Sequence, residues 1–198
     1  VRDVICNDIA YAWTVARGQI IGTTRGNPSG IQQTSILNST IHLVVLFAAW
    51  LDITARVRPD MQTWAAFRKH VSAHVYGDDH ILSVSDEANF YNMQTPQAFF
   101  QEIGMVYTDA ASGKGAIKRP FCTQEEATYL QRSFKLDNGK WTGPLRWPII
   151  QNMLQWQHRR PTIEDFHQTI ESALIEATLH GKEAFEEIRN VIQERLEG

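Results

Sequence analysis

The pattern of apolar and polar positions predicts a series of helices interrupted by short β-structure. From Val4 to Arg17, apolar side chains recur at helical spacing and Gly18 follows as a stop signal, so a helix is expected there. Gln19 to Thr24 is typical of a short strand. Residues 32–56 then predict a long helix. Its wide apolar face is formed by Ile36, Leu37, Ile41, Val44, Val45, Ala48 and Leu51.

Shorter elements follow the long helix. The segment Arg58 to Lys69 predicts a short helix that packs on the long one. Apolar and polar positions alternate from Val71 to Tyr76, and Ile81 and Leu82 resume the apolar run after Gly77, which predicts a hairpin over Val71 to Val84. Thr95 to Ile103 favours an amphipathic helix, and residues 105–107 favour another strand.

The last third of the chain is predicted to be helical after a turn and a linker. Asp137 to Lys140 is a turn signal, and two prolines, Pro144 and Pro148, mark the linker. Thr162 and Asp165 approximate a capping box at the start of an amphipathic helix. Together with a helical region before it and a final helix after it, this predicts a small three-helix bundle. The overall fold class expected is therefore α+β.

Composition limits the classes of protein that fit. The chain has 198 residues, 43% of them hydrophobic, enough for a proper core. Its longest apolar run, Leu43 to Leu51, is too short to span a bilayer, and the N-terminal stretch lacks the pattern of a signal peptide. The missing initiator Met suggests a piece of something longer. Two cysteines predict no disulfide framework, and a net charge of −3 means that any nucleic-acid contact is local.

The hairpin carries the first candidate chemistry. Asp78 and Asp79 at its turn place two carboxylates beyond the sheet, where they repel each other unless a cation lies between them. Such a pair is half of a Mg²⁺ site. The alternative stays open, because Gly-Asp turns are also common in hairpins without a function. Three nearby histidines fall on different predicted elements and do not favour a zinc site: His70, His74 and His80.

The start of the long helix carries the second candidate chemistry. Ser29 and Gln32 fit a capping box, so Ser29 is either a simple cap or part of a helix start whose free amides meet phosphate oxygens. Thr34 and Asn38 share one helix face and offer polar groups that can contact a sugar. Asn38 can equally bond a neighbouring backbone in the core.

These two segments together resemble a known family. Gly26-Asn27-Pro28-Ser29-Gly30, then Thr34, then Asn38-Ser39, and about forty residues later Tyr76-Gly77-Asp78-Asp79, resemble motifs of the RNA-directed RNA polymerases of picornavirus-like positive-strand viruses. The resemblance implies a partial palm subdomain over residues 1–142, an antiparallel sheet with flanking helices and the YGDD hairpin. It implies an α-helical thumb over residues 143–198.

The resemblance also assigns roles to residues. Asp78 and Asp79 would be catalytic and hold Mg²⁺, with Mn²⁺ as a substitute, and Lys114 would donate a proton to the leaving pyrophosphate. Gln131 replaces the lysine usual in the run from Tyr129 to Phe134, which leaves Arg132 as its cation. The nucleotide-binding residues would be Ser29, Gly30, Thr34 and Asn38, and the RNA or primer contacts Arg132 and Lys135.

The function implied is RNA synthesis from nucleoside triphosphates on an RNA template and primer, a nucleotidyl transfer by a two-metal mechanism. The partners implied are the RNA, the nucleotides, and the fingers and upstream palm of the same polyprotein. The setting implied is a replication complex in the host cytoplasm. In the family, the other metal-binding Asp precedes the Gly-Asn-Pro-Ser-Gly loop by some fifty residues, and only 25 residues precede Gly26 here. This chain alone is therefore expected to be inactive.

Two rival functions remain at this level. A reverse transcriptase also has an aromatic-x-Asp-Asp hairpin but lacks the helix that carries Thr34 and Asn38, and its preference for deoxyribonucleotides would reveal it. A non-catalytic helical interaction module with an incidental acidic turn would show no binding of Mn²⁺ near Asp78.

Overall fold

The computed structural model describes residues 12–23, 34–110, 117–155 and 162–197. The chain divides into two compact units, residues 1–120 and residues 121–198. The described residues form helices and four two-stranded sheets. Mixed helices and small antiparallel sheets are the α+β arrangement expected, and they are consistent with part of a polymerase palm.

The described residues of the first unit form two hairpins and three α-helices. Its elements are β1 (Ala12–Ala16), β2 (Gln19–Thr23), α1 (Thr34–Val57), α2 (Trp64–His70), β3 (Val71–Tyr76), β4 (Asp79–Val84) and α3 (Gln97–Glu102), with single 3-10 turns at Pro59–Met61 and Asp86–Ala88. β1 pairs with β2 and β3 with β4, both antiparallel.

Helix α1 forms the centre of the first core. Leu46, Ala49, Trp50 and Ile53 are buried on one face of it. The apolar face expected from the sequence is a different one and is wrong in part, since Ile36, Ile41 and Val44 are exposed. The Trp50 indole is completely buried and donates a hydrogen bond from Nε1 to the carbonyl of Met61, at 2.9 Å. This bond satisfies the polar end of the indole while its rings fill the core.

The predicted helix over Val4 to Arg17 is wrong for the residues that the structure describes. Ala12–Ala16 is a strand that pairs with Gln19–Thr23, and residues 4–11 lie outside the described part of the chain. Arg17 and Gly18 both have positive φ, 52° and 77°, as a two-residue type I′ turn requires. The turn therefore selects a hairpin over the helix that the apolar spacing favours.

Two smaller differences concern residues 58–69 and 105–107. The predicted short helix is split into the 3-10 turn Pro59–Met61 and helix α2, which starts at the N-cap Thr63. Residues 105–107 form no strand, since none of the described residues pairs with them. The amide of Met105 instead donates to the carbonyl of Phe100 and closes the end of α3, at 2.8 Å.

By length and composition, α1 is the one helix among the described residues that is long and apolar enough to cross a membrane. Core helices pass the same test, and the buried face of α1 packs against the first core. The helix is therefore not evidence of a membrane span.

In the second unit, the part of the chain that the structure describes forms two hairpins and three helices. Its elements are β5 (Thr128–Tyr129), β6 (Arg132–Ser133), β7 (Lys135–Asp137), β8 (Lys140–Thr142), α4 (Trp147–Met153), α5 (Ile163–Thr178) and α6 (Lys182–Glu197). The three helices enclose a small apolar core formed by Ile150, Ala173, Ala177, Ile188 and Ile192.

Two local features of this unit, a capping box and a turn, are those that the sequence predicts. The Thr162 hydroxyl accepts from the amide of Asp165, whose carboxylate accepts from the amide of Thr162, so the capping box is complete. Asn138 and Gly139 both have positive φ in the turn between β7 and β8. Pro148 lies in the first turn of α4 rather than in a linker, where its missing N–H costs no helical hydrogen bond.

The boundary between the units, after Pro120, falls before the predicted boundary at residue 142. The reason is local pairing: the amide of Ser133 donates to the carbonyl of Pro144, and the amide of Arg146 donates to the carbonyl of Gln131, both at 3.0 Å. These bonds join the β5–β6 hairpin to the segment that leads into α4. The assignment of palm and thumb to these parts stays a prediction.

Trp50→Ala tests the importance of the first core. We expect it to lower the free energy of unfolding of that unit by about 3 to 5 kcal/mol, because it leaves a cavity and removes one of the two hydrogen bonds that the Met61 carbonyl accepts. Urea unfolding measures the loss. Trp64→Ala is the matched control, since the Trp64 side chain is 45% exposed and should cost less than half as much. Equal losses would contradict this account of the core.

Candidate active site

The acidic turn joins β3 to β4. Tyr76 pairs with Asp79, so the loop contains only two residues, Gly77 and Asp78. Gly77 has a φ of +64° and Asp78 does not have a positive φ, the pattern of a type II′ turn with glycine in first place. Asp78 and Asp79 are both exposed. The turn therefore presents two adjacent carboxylates to solvent, where a cation can reach them.

The start of α1 is held against this turn by a hydrogen bond. The amide of Gly77 donates to the Ser39 hydroxyl at 2.8 Å, and that hydroxyl donates to the carbonyl of Ser35 at 2.6 Å. Thr34 and Asn38, the predicted sugar-contacting residues, lie on this same part of α1 and are half-buried. The fold thus brings the helix that carries them to the hairpin that carries the carboxylates.

A chain of three hydrogen-bonded rings lies next to the turn. His42 Nε2 is 2.9 Å from His80 Nδ1, and His80 Nε2 is 3.1 Å from the hydroxyl of Tyr107. The side chain of His42 on α1 is buried. The chain links α1 and β4 to the segment that follows α3.

Burial keeps both imidazoles neutral at pH 7. Burial, and to a smaller extent the neighbouring His42, lower the pKa of His80 to about 4. Burial also lowers the pKa of His42, although the charges of Asp78 and Asp79 act in the opposite direction. Because neither ring carries a positive charge, the histidines do not neutralise the two carboxylates. The two negative charges therefore remain available to a cation.

Several predicted site residues lie outside the described part of the chain. These are Ser29, Gly30 and Lys114, so the structure gives no position for the loop before α1 or for the lysine predicted as proton donor.

The predicted RNA contacts lie on the hairpins of the second unit. The guanidinium of Arg132 on β6 donates to both carboxylate oxygens of Glu176 on α5, at 2.6 and 3.0 Å, and to the carbonyl of Gly143 at 2.7 Å. This pairing raises the pKa of Arg132 and lowers that of Glu176. The Arg132 side chain keeps 42% of its surface exposed. Lys135 at the start of β7 is exposed.

The three histidines considered for zinc have separate surroundings. His70 Nδ1 lies 2.8 Å from the Ser85 hydroxyl, whereas His80 bonds to His42 and Tyr107. His74 is exposed on β3. Among the described ranges, no group of three or more His, Cys, Asp or Glu side chains is placed to hold a metal ion. Asp78 and Asp79 therefore supply only part of any multi-ion site.

Ser39, His42 and Glu176 make contacts that no sequence motif predicts. Ser35, Ser39 and His42 occupy positions i, i+4 and i+7 of α1, which places them along one face. This polar stripe on an apolar helix was the available signal for a contact with the turn. No comparable signal pairs Arg132 with Glu176, because the two residues are 44 positions apart.

Comparison with known proteins identifies the family of the chain. The family model described as viral RNA-dependent RNA polymerase matches residues 1–195. The chain is 30% identical to the genome polyprotein of Rice tungro spherical virus over 193 residues, 94% of the chain and 5% of the polyprotein. It is 32% identical to the replication polyprotein of Nora virus over 91% of the chain, and 29% identical to the replicase polyprotein of Cricket paralysis virus over 94%.

The chain belongs to the viral RNA-dependent RNA polymerase family, since the match covers nearly all of it. The predicted resemblance to picornavirus-like polymerases is confirmed by these replicase relatives. The chain spans between a twentieth and a tenth of the length of the polyproteins named here.

Glu176→Gln tests the Arg132 pair. The lowered pKa of Glu176 means that the pair stabilises the second unit fully above the ordinary carboxyl pKa of 4.5, and that this stabilisation is lost as the pH falls through the lowered pKa. We expect a loss of about 1 kcal/mol at pH 7 that shrinks in acid. Unfolding at several pH values measures it. Glu171→Gln, on the exposed side of the same helix, is the control; a pH-independent or equal loss would contradict the pair's role.

Proposed function

We propose that this chain forms part of a polymerase that adds ribonucleotides to the 3′-hydroxyl of an RNA primer, directed by an RNA template. The observation that carries the proposal is the exposed Asp78–Asp79 pair on a two-residue turn, held against the helix that bears Thr34 and Asn38. The family match over residues 1–195 supports the same reaction class.

The donor set of the turn fits Mg²⁺. Two exposed carboxylates supply hard oxygen ligands, and the neutral histidines beside them leave their charge uncompensated. Asp78 is the direct ligand in this proposal and Asp79 has a supporting part. A divalent ion bound there supplies charge neutralisation for the triphosphate and lowers the pKa of the primer hydroxyl. Further ligands are needed, because the described residues provide only this pair.

Nucleotide selection is assigned to the start of α1. Thr34 and Asn38 are half-buried on the part of the helix that contacts the turn. A site built to hydrogen-bond a hydroxyl strongly rejects a substrate that lacks it, because its polar groups are then left unpaired. In this proposal Ser29, Gly30, Thr34 and Asn38 together recognise the ribose and its 2′-hydroxyl.

The remaining roles complete the proposal. Lys114 donates a proton to the leaving pyrophosphate, and Arg132 and Lys135 contact the primer strand. Residues 1–142 act as palm and residues 143–198 as thumb, completed by fingers and upstream palm from the same polyprotein and working in the host cytoplasm. By itself this segment is proposed to be inactive, since its described carboxylates make only part of a two-ion site.

Asp78→Asn, in the polymerase that contains this segment, should abolish nucleotide addition while leaving RNA binding nearly intact. The change removes the charge of a metal ligand and keeps its volume. Primer extension and an RNA-binding titration measure the two effects. Asp86→Asn is the control, because Asp86 is an exposed carboxylate that lies beyond β4. A turnover of Asp78→Asn close to that of the wild type would contradict the assignment of Asp78 as a metal ligand.

Asn38→Ala should reduce the preference for ribonucleotides more than it reduces stability. The amide is lost from the helix face proposed to contact the sugar, while the helix itself gains a residue of higher propensity. The measurement compares incorporation of matched ribo- and deoxyribonucleotides. An unchanged ratio would leave Asn38 as a core residue, and a wild-type enzyme that prefers deoxyribonucleotides would favour a reverse transcriptase.

A further inference from the structure

The Gly77 amide needs a partner outside its own hairpin. In a two-residue loop the amide of the first loop residue takes no part in the ladder between the strands. Gly77 is half-buried, so an unpaired N–H there would be costly. The Ser39 hydroxyl of α1 accepts this N–H at 2.8 Å.

The direction of the Ser39 hydroxyl is determined by a second bond. Its proton is donated to the carbonyl of Ser35, one turn back on α1, at 2.6 Å. The lone pairs of the oxygen are therefore left for the Gly77 N–H. Ser39 thus joins a rigid helix directly to the residue that precedes Asp78.

A second contact from the same helix holds the other side of the acidic pair. His42 is buried on α1 and bonds to His80, the residue that follows Asp79, at 2.9 Å. Ser39 and His42 are three positions apart and so share a helix face. The two carboxylates are therefore bracketed by two residues, Gly77 and His80, that are both bound to α1.

We propose that Ser39 is a positioning residue, whose hydroxyl sets the place of the Asp78 carboxylate by holding the Gly77 amide. The inference rests on the proposed function, because it gives the carboxylate a task that requires precise placement. Ser39 touches neither the nucleotide nor a reacting atom in this account. Its loss leaves the charge of the site intact and lets the turn occupy several positions.

The position of the Asp78 carboxylate should affect kcat and the Mg²⁺ requirement rather than the affinity for RNA. Small displacements of a catalytic group are costly even when every group is still present. In the polymerase that contains this segment, Ser39→Ala should lower kcat by about tenfold or more and raise the Mg²⁺ concentration for half-maximal activity several-fold. The dissociation constant for primer–template RNA should stay within about twofold, since Ser39 makes no phosphate contact in this account.

The chain offers a matched control next to Ser39. The Thr40 hydroxyl makes the same kind of bond to the carbonyl one turn back, that of Ile36 at 2.9 Å, on the exposed side of the helix. Thr40→Ala therefore removes an equivalent helix contact without touching the turn, and it should leave kcat and the Mg²⁺ requirement unchanged. Ser39→Thr retains a hydroxyl acceptor and should restore most of the activity.

Hydrogen exchange separates this inference from the proposed function. Exchange at the Gly77 amide, read by mass spectrometry at residue level, should be about five to ten times faster in Ser39→Ala than in the wild type or Thr40→Ala. This readout needs no catalysis. If Asp78→Asn retains full activity, the proposed function fails even where the exchange result holds.

Two results would overturn the positioning role. One is unchanged exchange at Gly77 in Ser39→Ala, which would mean that the hydroxyl does not hold the amide. The other is faster exchange with unchanged kcat and Mg²⁺ requirement, which would mean that the contact has no effect on the carboxylate. Should Ser39→Ala fold poorly, Ser39→Cys nearly keeps the volume but accepts hydrogen bonds weakly, and the same criteria apply to it.

Discussion

A two-stranded hairpin does not hold an acidic turn in a defined place by itself, because two strands alone are marginally stable in water. In this chain the β3–β4 sheet has only two strands among the described residues, and α1 supplies the missing constraint. The C-terminal half of the helix is fastened by the buried core around Trp50, and its N-terminal half contacts the turn. The hairpin also packs on this core through Val71, Leu82 and Val84, so helix and core together set the position of the carboxylates.

Helix α1 has two parts with different contacts. Leu46, Ala49 and Trp50 are completely buried, so this part of the helix has one orientation relative to the core. The polar stripe formed by Ser35, Ser39 and His42 is then aimed at the hairpin. Placing polar groups on an apolar helix costs desolvation free energy, which the hydrogen bonds to Gly77 and His80 offset.

The sequence predicted the elements whose signals are local. The Thr162–Asp165 capping box and the Gly77 turn each depend on residues next to them in the chain, and the structure has both. The long helix α1 is also present, but its buried face is not the expected one, because Ile36, Ile41 and Val44 are exposed. The strand Ala12–Ala16 was missed because its apolar spacing fits a helix, whereas its outcome depends on the turn at Arg17 and Gly18. Sequence motifs pointed to the two carboxylates of the candidate site and to the family of the chain. The contacts of Ser39, His42 and Arg132 did not follow from motifs, because each joins residues 38 or more positions apart.

The electrostatics of the turn follow from what surrounds it. A lysine or arginine in the place of His42 would satisfy the carboxylates inside the protein and compete with a bound ion. A buried imidazole with a lowered pKa instead gives a hydrogen-bonded contact without a charge. The low pKa of His80, about 4, keeps the link to Tyr107 between neutral groups as well. The turn is thus held firmly while its two negative charges remain available, a combination that suits a site whose charge balance comes from a divalent cation and its triphosphate.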